Sequence, residues 1–149
     1  MNKLKYLILF AFFMSKYSQL NATNLKIIND SLTPVNAYIE GYDIFGNYTL
    51  DVSLTMPQKS TWPDLIDIGY TNSADIWLKT GNPEQLIKSV KITRDKNGFY
   101  TITDQQTSAN LCNSGNNAAP GKLTVNINGG VFDIKRNSPI TISCNYSLV

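Results

Sequence analysis

The chain contains no histidine. That absence removes the Ser-His-Asp and Cys-His constellations, and with them histidine-ligated zinc, copper and iron. Two cysteines remain, Cys112 and Cys144, and once paired they supply neither a thiolate nucleophile nor a thiolate ligand. Two catalytic chemistries keep their parts. A carboxylate pair could work on a glycosidic bond, with Asp64 and Asp67 in PDLID, or Asp43 and Asp51 across a hairpin, as candidates. An extended chain sends Asp64 and Asp67 to opposite faces. Ser-Lys chemistry has only Lys59-Ser60 and Lys88-Ser89, with no motif around either pair. The stretch DKNG, Asp95 to Gly98, begins as a calcium loop does. It lacks the glutamate about 12 residues in that would close such a loop. A hairpin turn accounts for the same residues, with Asn97 and Gly98 both accepting positive φ. Phosphate-cradling glycine motifs and the nucleophile elbow are absent from the sequence. No catalytic residue, metal or cofactor is therefore assigned.

What remains is the chemistry of recognition. Tyrosine and tryptophan offer flat apolar faces with a polar tip, which suit sugar rings and protein surfaces. Trp62 lies in STWPD, beside a proline in an expected loop. It is either a contact residue or a cover over one end of the domain. Trp77, between Ile76 and Leu78 in ADIWLK, is read as a core tryptophan. The loop QQTSANLCNSGNNAAPG, Gln105 to Gly121, is long and almost without bulky apolar side chains. Loops of that length are functional, or they cross between sheets under a tether. The candidate binding residues are Trp62, Asn82, Asn113, Asn116 and Asn117.

The elements that must hold these residues are strands. SVKITRDKNGFYTITD alternates apolar and polar residues on both sides of Asn97-Gly98 and reads as a hairpin. AYIEGYDIFGNYTLDVSL turns near Phe45-Gly46-Asn47. KLTVNINGGVFDIKR reads as a third hairpin, returning through Phe132 and Ile134. Further strands are expected from Leu25, Asp75 and Ile140, and near Leu65 to Tyr70. NPEQLIKS, Asn82 to Ser89, is the one helical candidate, with Pro83 at its first position. The expected fold is all-β: an antiparallel sandwich of about eight or nine strands, immunoglobulin-like or related, with one disulfide and at most one short helix. The layout resembles small exported immunoglobulin-like sandwiches, without the Cys…Trp…Cys spacing of antibody domains. TGNPEQ resembles the loop-borne Asn-Pro of chagasin-type cysteine-protease inhibitors, and the rest of that motif set is absent.

Residues 1–22 differ from the rest. A basic start with Lys3 and Lys5, the apolar run Tyr6 to Met14 and a small residue at Ala22 make a secretory signal. Cleavage after Ala22 leaves one domain, 23–149. The run is too short to span a bilayer, which takes about 20 apolar residues, so no integral membrane insertion is expected. The full chain carries a net charge of +2. Lys3, Lys5 and Lys16 leave with the signal, so ten basic side chains face eleven acidic ones in the remainder. Nothing in that balance favours nucleic acid. The expected location is extracellular or the bacterial periplasm, where Cys112 and Cys144 would pair. Two free thiols, or a bridge between chains, are the alternatives. The function expected is a secreted, non-enzymatic binding protein recognising a glycan or protein at a cell surface, as a bacterial colonisation or virulence factor would. An inhibitor of a foreign protease and a small membrane-acting toxin are the competing readings. The sequence does not indicate an oligomeric state.

Overall fold

In a computed structural model, the described residues are 23–113, 121–133, 135 and 140–148. They form eleven strands: β1 (Thr23–Asn29), β2 (Val35–Tyr42), β3 (Tyr48–Met56), β4 (Ser60–Thr61), β5 (Ile66–Asp67), β6 (Ser73–Thr80), β7 (Gln85–Arg94), β8 (Tyr100–Asp104), β9 (Asn110–Asn113), β10 (Gly121–Asn128) and β11 (Thr141–Leu148). One sheet runs β11-β10-β1, with the short strands β4 and β5 both paired to the free side of β1. The other runs β3-β2-β6-β7-β8-β9. The two pack as an all-β sandwich. The period-2 pattern explains the packing. Leu25 and Ile27 of β1 and Leu123, Val125 and Ile127 of β10 turn inward from one sheet. They meet Ala37, Ile39, Ile76, Leu78, Val90, Ile92 and Ile102 of the other, all at most 1 % exposed. Burying one such side chain is worth about 1.5–3 kcal/mol, so these rows set the register of every strand.

Several expectations need correction. The strand β10 does not fold back onto Phe132. It pairs antiparallel with β11, Asn128 opposite Thr141, and parallel with β1, Leu25 opposite Leu123. Residues 129–133 are irregular instead, and Ile134 lies outside the described residues. The sandwich therefore contains one parallel pair, which an alternating pattern alone does not reveal. The helix over NPEQLIKS does not form. Residues 81–84 are a turn with a cis Asn82–Pro83 bond, and Gln85 and Leu86 already pair with Thr80 and Lys79. A helix of two turns has little stability of its own, and sheet pairing overrides it. The expected strand at 65–70 shrinks to Ile66–Asp67. Part of the long loop is strand: Asn110–Asn113 adds β9 to the sheet edge.

Both DxxGx hairpins close by the same five-residue turn. In Asp43–Asn47 and Asp95–Phe99, the aspartate N–H donates to the fifth carbonyl at 2.9 Å, and the glycine N–H donates back to the aspartate carbonyl. The Asp43 and Asp95 carboxylates accept the N–H groups two and four residues on, at 2.8–3.0 Å. Positive φ falls on Gly46 (83°) and Gly98 (86°). Asn97 does not share it, so the two-residue turn expected there is replaced by a turn with a glycine bulge. The hydrogen bonds of Asp95 also show what the DKNG residues do: they close a hairpin.

The β8–β9 connection is held by Asp104, a buried carboxylate. It accepts from the Gln106 and Thr107 N–H groups at 2.8 and 3.3 Å and stands 3.4 Å from Lys88 Nζ. Burial alone would push its pKa up. The Gln106 N–H, the Lys88 charge and the Thr107 N–H reverse that and hold the carboxyl below the usual range. A carboxyl whose folded pKa is depressed adds stability above its unfolded pKa of about 4. That stability is lost as pH falls through the folded value. Asp104→Asn is therefore expected to destabilise the fold by about 1–2 kcal/mol at neutral pH. In urea melts run at stepped pH, the gap to wild type should close on acidification; a gap that stays constant would contradict this.

Candidate binding surface

Strand directions divide the sandwich into two ends. The lower end carries the start of β1, the turns 43–47 and 95–99, and the loop 68–72. The upper end carries the loops 30–34, 57–59, 81–84 and 105–109. Backbone bonds tie the lower segments together: Asn72 N–H to the Tyr42 carbonyl at 2.7 Å, Arg94 N–H to the Asn72 carbonyl at 2.8 Å, and Ile68 N–H to the Thr23 carbonyl at 2.9 Å. Tyr100 donates its hydroxyl to the Ile68 carbonyl at 2.8 Å. Gly41 permits a close approach, because a Cβ there would meet Leu50 Cβ and Thr71 Cγ2 at 2.9 Å.

This rigid end presents large apolar side chains to water. Ile44 is 72 % exposed, Phe45 82 %, Tyr48 67 % and Tyr70 76 %. Tyr48 is propped by Tyr42, ring centroids 4.8 Å apart. The same end carries the carboxylates of Asp43, Asp67 and Asp95, each fixed by accepting backbone N–H groups. The Asn47 N–H leads the donors that hold the Asp43 carboxyl below the usual range, so it stays ionised. Of the nearby cations, Arg94 is engaged: it donates to the Gly69 carbonyl at 2.9 Å and lies over the Tyr100 ring. Lys96 is exposed. The end thus carries both large exposed apolar side chains and carboxylates, and exposed apolar surface edged by polar groups marks contact surfaces.

A second surface lies on the outer face of the six-stranded sheet. Tyr38 of β2 sits directly opposite Trp77 of β6. Trp77 is half-buried and points outward, because Ile76 and Leu78 take the inward phase, so it is not a core tryptophan. Tyr38 donates its hydroxyl to Glu84 at 2.7 Å, and the Asn36 amide donates to the same oxygen at 2.6 Å. These bonds, with Lys79 nearby, hold the Glu84 carboxyl below its usual range. Lys79 Nζ lies 5.2 Å from the Tyr38 ring centroid. A shallow groove of about 330 Å³ opens beside this cluster, lined mainly by Pro34, Asn36, Met56, Pro57 and Gly81.

The structure disperses the residues expected to bind. Asn82 is exposed in the upper turn, two residues before Glu84, and so borders the second surface. Trp62 does not join it: it is partly buried against the core beside β1, its N–H bonded to the Ile27 carbonyl. Asn113 stands at the opposite, lower end, opposite Thr101. Asn116 and Asn117 lie outside the described residues. The Ser-Lys candidates each have structural partners. Lys59 pairs with Asp30 at 3.2 Å, and Ser60 donates to the Pro57 carbonyl. Lys88 turns to Asp104 and Ser89 to Gln105. Asp51 faces Glu40 rather than Asp43. Among the described residues, no group of three or more metal-ligating side chains converges.

Ile44, Phe45 and Tyr70 escaped the sequence reading. The available signal was an apolar pair inside a turn, where polar residues are the rule. Cys112 and Cys144 form the disulfide, which joins the outermost strands β9 and β11 of the two sheets. Among the described residues, no helix is long and apolar enough to cross a membrane. Both facts are compatible with an extracellular or periplasmic location. The class defined by fold and surface is a disulfide-bonded β-sandwich with an exposed apolar loop end. No known protein-family model matches the chain, and no curated protein sequence matches it.

Proposed function

We propose that this is an exported, non-enzymatic recognition protein whose lower end docks onto a protein at a cell surface. The observation that carries the reading is the exposure of Ile44, Phe45, Tyr48 and Tyr70 on segments hydrogen-bonded into one rigid end. Preformed apolar knobs lose little entropy on binding, and aromatic side chains dominate interface energetics. The carboxylates of Asp43, Asp67 and Asp95 at the same end suit a partner whose apolar pocket is flanked by lysine or arginine. A second reading, glycan binding, rests on the Tyr38–Trp77 pair with its fixed polar neighbours Asn36, Glu84 and Lys79.

Labelled chain from Thr23 onward, which contains every described strand, separates the two readings on intact eukaryotic cells and bacterial envelopes. Docking to a protein gives saturable binding that protease treatment of the surface abolishes and periodate spares. Glycan recognition gives the reverse, with Trp77→Ala as the damaging substitution. Absence of saturable binding to either surface contradicts both readings and moves enzyme inhibition forward.

A further inference from the structure

The edge of the six-stranded sheet carries information that the loop ends do not. Among the described residues, β3 pairs with β2 alone. The other sheet margins are covered: β4 and β5 lie along β1, and the disulfide draws β9 against β11. Exposed strand edges are ordinarily guarded by lysine, proline, brevity or a bulge. β3 carries a bulge at its start, where its pairing with β2 shifts between Gly41 and Tyr42, but beyond it Leu50 to Met56 runs without proline or lysine and with one charge, Asp51. Its inner row is also incompletely covered. Leu54 is 2 % exposed, whereas Leu50 and Val52 are only partly buried although they face the core.

We infer that β3 is a self-pairing edge, joining two copies of this chain in an antiparallel dimer with Val52 on the two-fold axis. An isologous contact requires a surface complementary to itself. Residues opposite each other in an antiparallel pair share a face, so only registers that match like faces qualify. Centring on Val52 pairs Leu50 to Leu54 of the two copies and leaves the bulged start of β3, with Tyr48, outside the contact. On the inner face it sets Leu50 against Leu54 and Val52 against Val52, covering the half-buried row. On the outer face it sets Asp51 against Ser53. Centring on Asp51 would instead place carboxylate against carboxylate, which is unfavourable at cross-strand distance. The six-stranded sheet becomes continuous across the two-fold, and the lower ends of the two copies point in opposite directions. This pairing is independent of what the lower end binds.

Sedimentation equilibrium of the chain from Thr23 onward, up to submillimolar concentration, tests it. The expected mass is that of two chains. Ser53 is exposed, so its substitution leaves the fold intact. Ser53→Asp faces Asp51 of the second copy twice and should weaken the dimer about tenfold. Ser53→Lys faces the same carboxylates and should hold or tighten it, an effect that fades with added salt. A monomer at every concentration overturns the inference, and so does a dimer that both Ser53 variants shift equally.

Discussion

Asn29→Leu is expected to lower the stability of the sandwich by at least about 3 kcal/mol. Asn29 closes β1 and is fully buried. Its Nδ2 donates to the Thr33 carbonyl at 2.9 Å, to the Pro57 carbonyl at 3.0 Å and to the Met56 carbonyl at 3.3 Å. Its Oδ1 accepts from the Ser31 hydroxyl at 2.6 Å and the Ser31 N–H at 3.2 Å. One amide thus satisfies the 30–34 loop and the 56–57 segment, and links the two sheets at the upper end. Leucine fills similar volume and makes none of these bonds; the Ser60 and Ser31 hydroxyls still reach the Pro57 and Thr33 carbonyls, and the remaining groups lose the amide away from water. Asn29→Asp should be no milder, because it turns a carboxylate oxygen toward three carbonyls. Thermal unfolding should show a midpoint roughly 10 °C lower for either variant. A shift of only a degree or two would show that water replaces the amide, and that the upper loops are held by other contacts.

Removing the disulfide is the second large effect. Cys112 and Cys144 are 32 residues apart in sequence, with Cα atoms 5.9 Å apart. Closing a loop of that length restricts the unfolded chain by about 3–4 kcal/mol. Within the fold, the bridge also prevents β9 from leaving β8, to which it is joined through only three register positions. The double variant Cys112→Ser, Cys144→Ser should therefore show a urea midpoint lower by that free energy divided by the m-value. Hydrogen exchange should rise first in Asn110–Asn113. An unchanged midpoint would mean that sheet pairing alone fixes this edge.

The residues that were readable from sequence are those governed by local rules. Val90, Ile92, Tyr100 and Ile102 alternate, Gly98 supplies the positive φ, and the β7–β8 hairpin follows. The disulfide follows from cysteine count and compartment. The parallel pairing of β1 with β10 was not readable, because Leu25, Ile27, Leu123 and Val125 carry the same pattern whichever neighbour they take. NPEQLIKS reads locally as a helix start, yet Leu86 finds Lys79 across the sheet. The candidate site suffered most. Residue type alone points to Trp62 and Asn82, but contact surfaces depend on which loops share an end. Tyr70 and Phe45 are more than twenty residues apart and come to the same end of the fold only through the bond of Asn72 to Tyr42. Trp77 needed the phase of its strand, which Ile76 and Leu78 settle only once the core is known.

The most direct test of the proposed recognition role is the affinity of the double variant Ile44→Ser, Phe45→Ser for the cell surface that wild type binds. Both side chains sit at the tip of a turn closed by backbone bonds and by Asp43, so the fold should be unaffected. Loss of one interface hot spot costs about 2 kcal/mol. The predicted result is a Kd raised roughly 30-fold or more, with the thermal midpoint unchanged. An unaltered Kd, in a variant that remains folded, would contradict the assignment of the lower end as the contact surface.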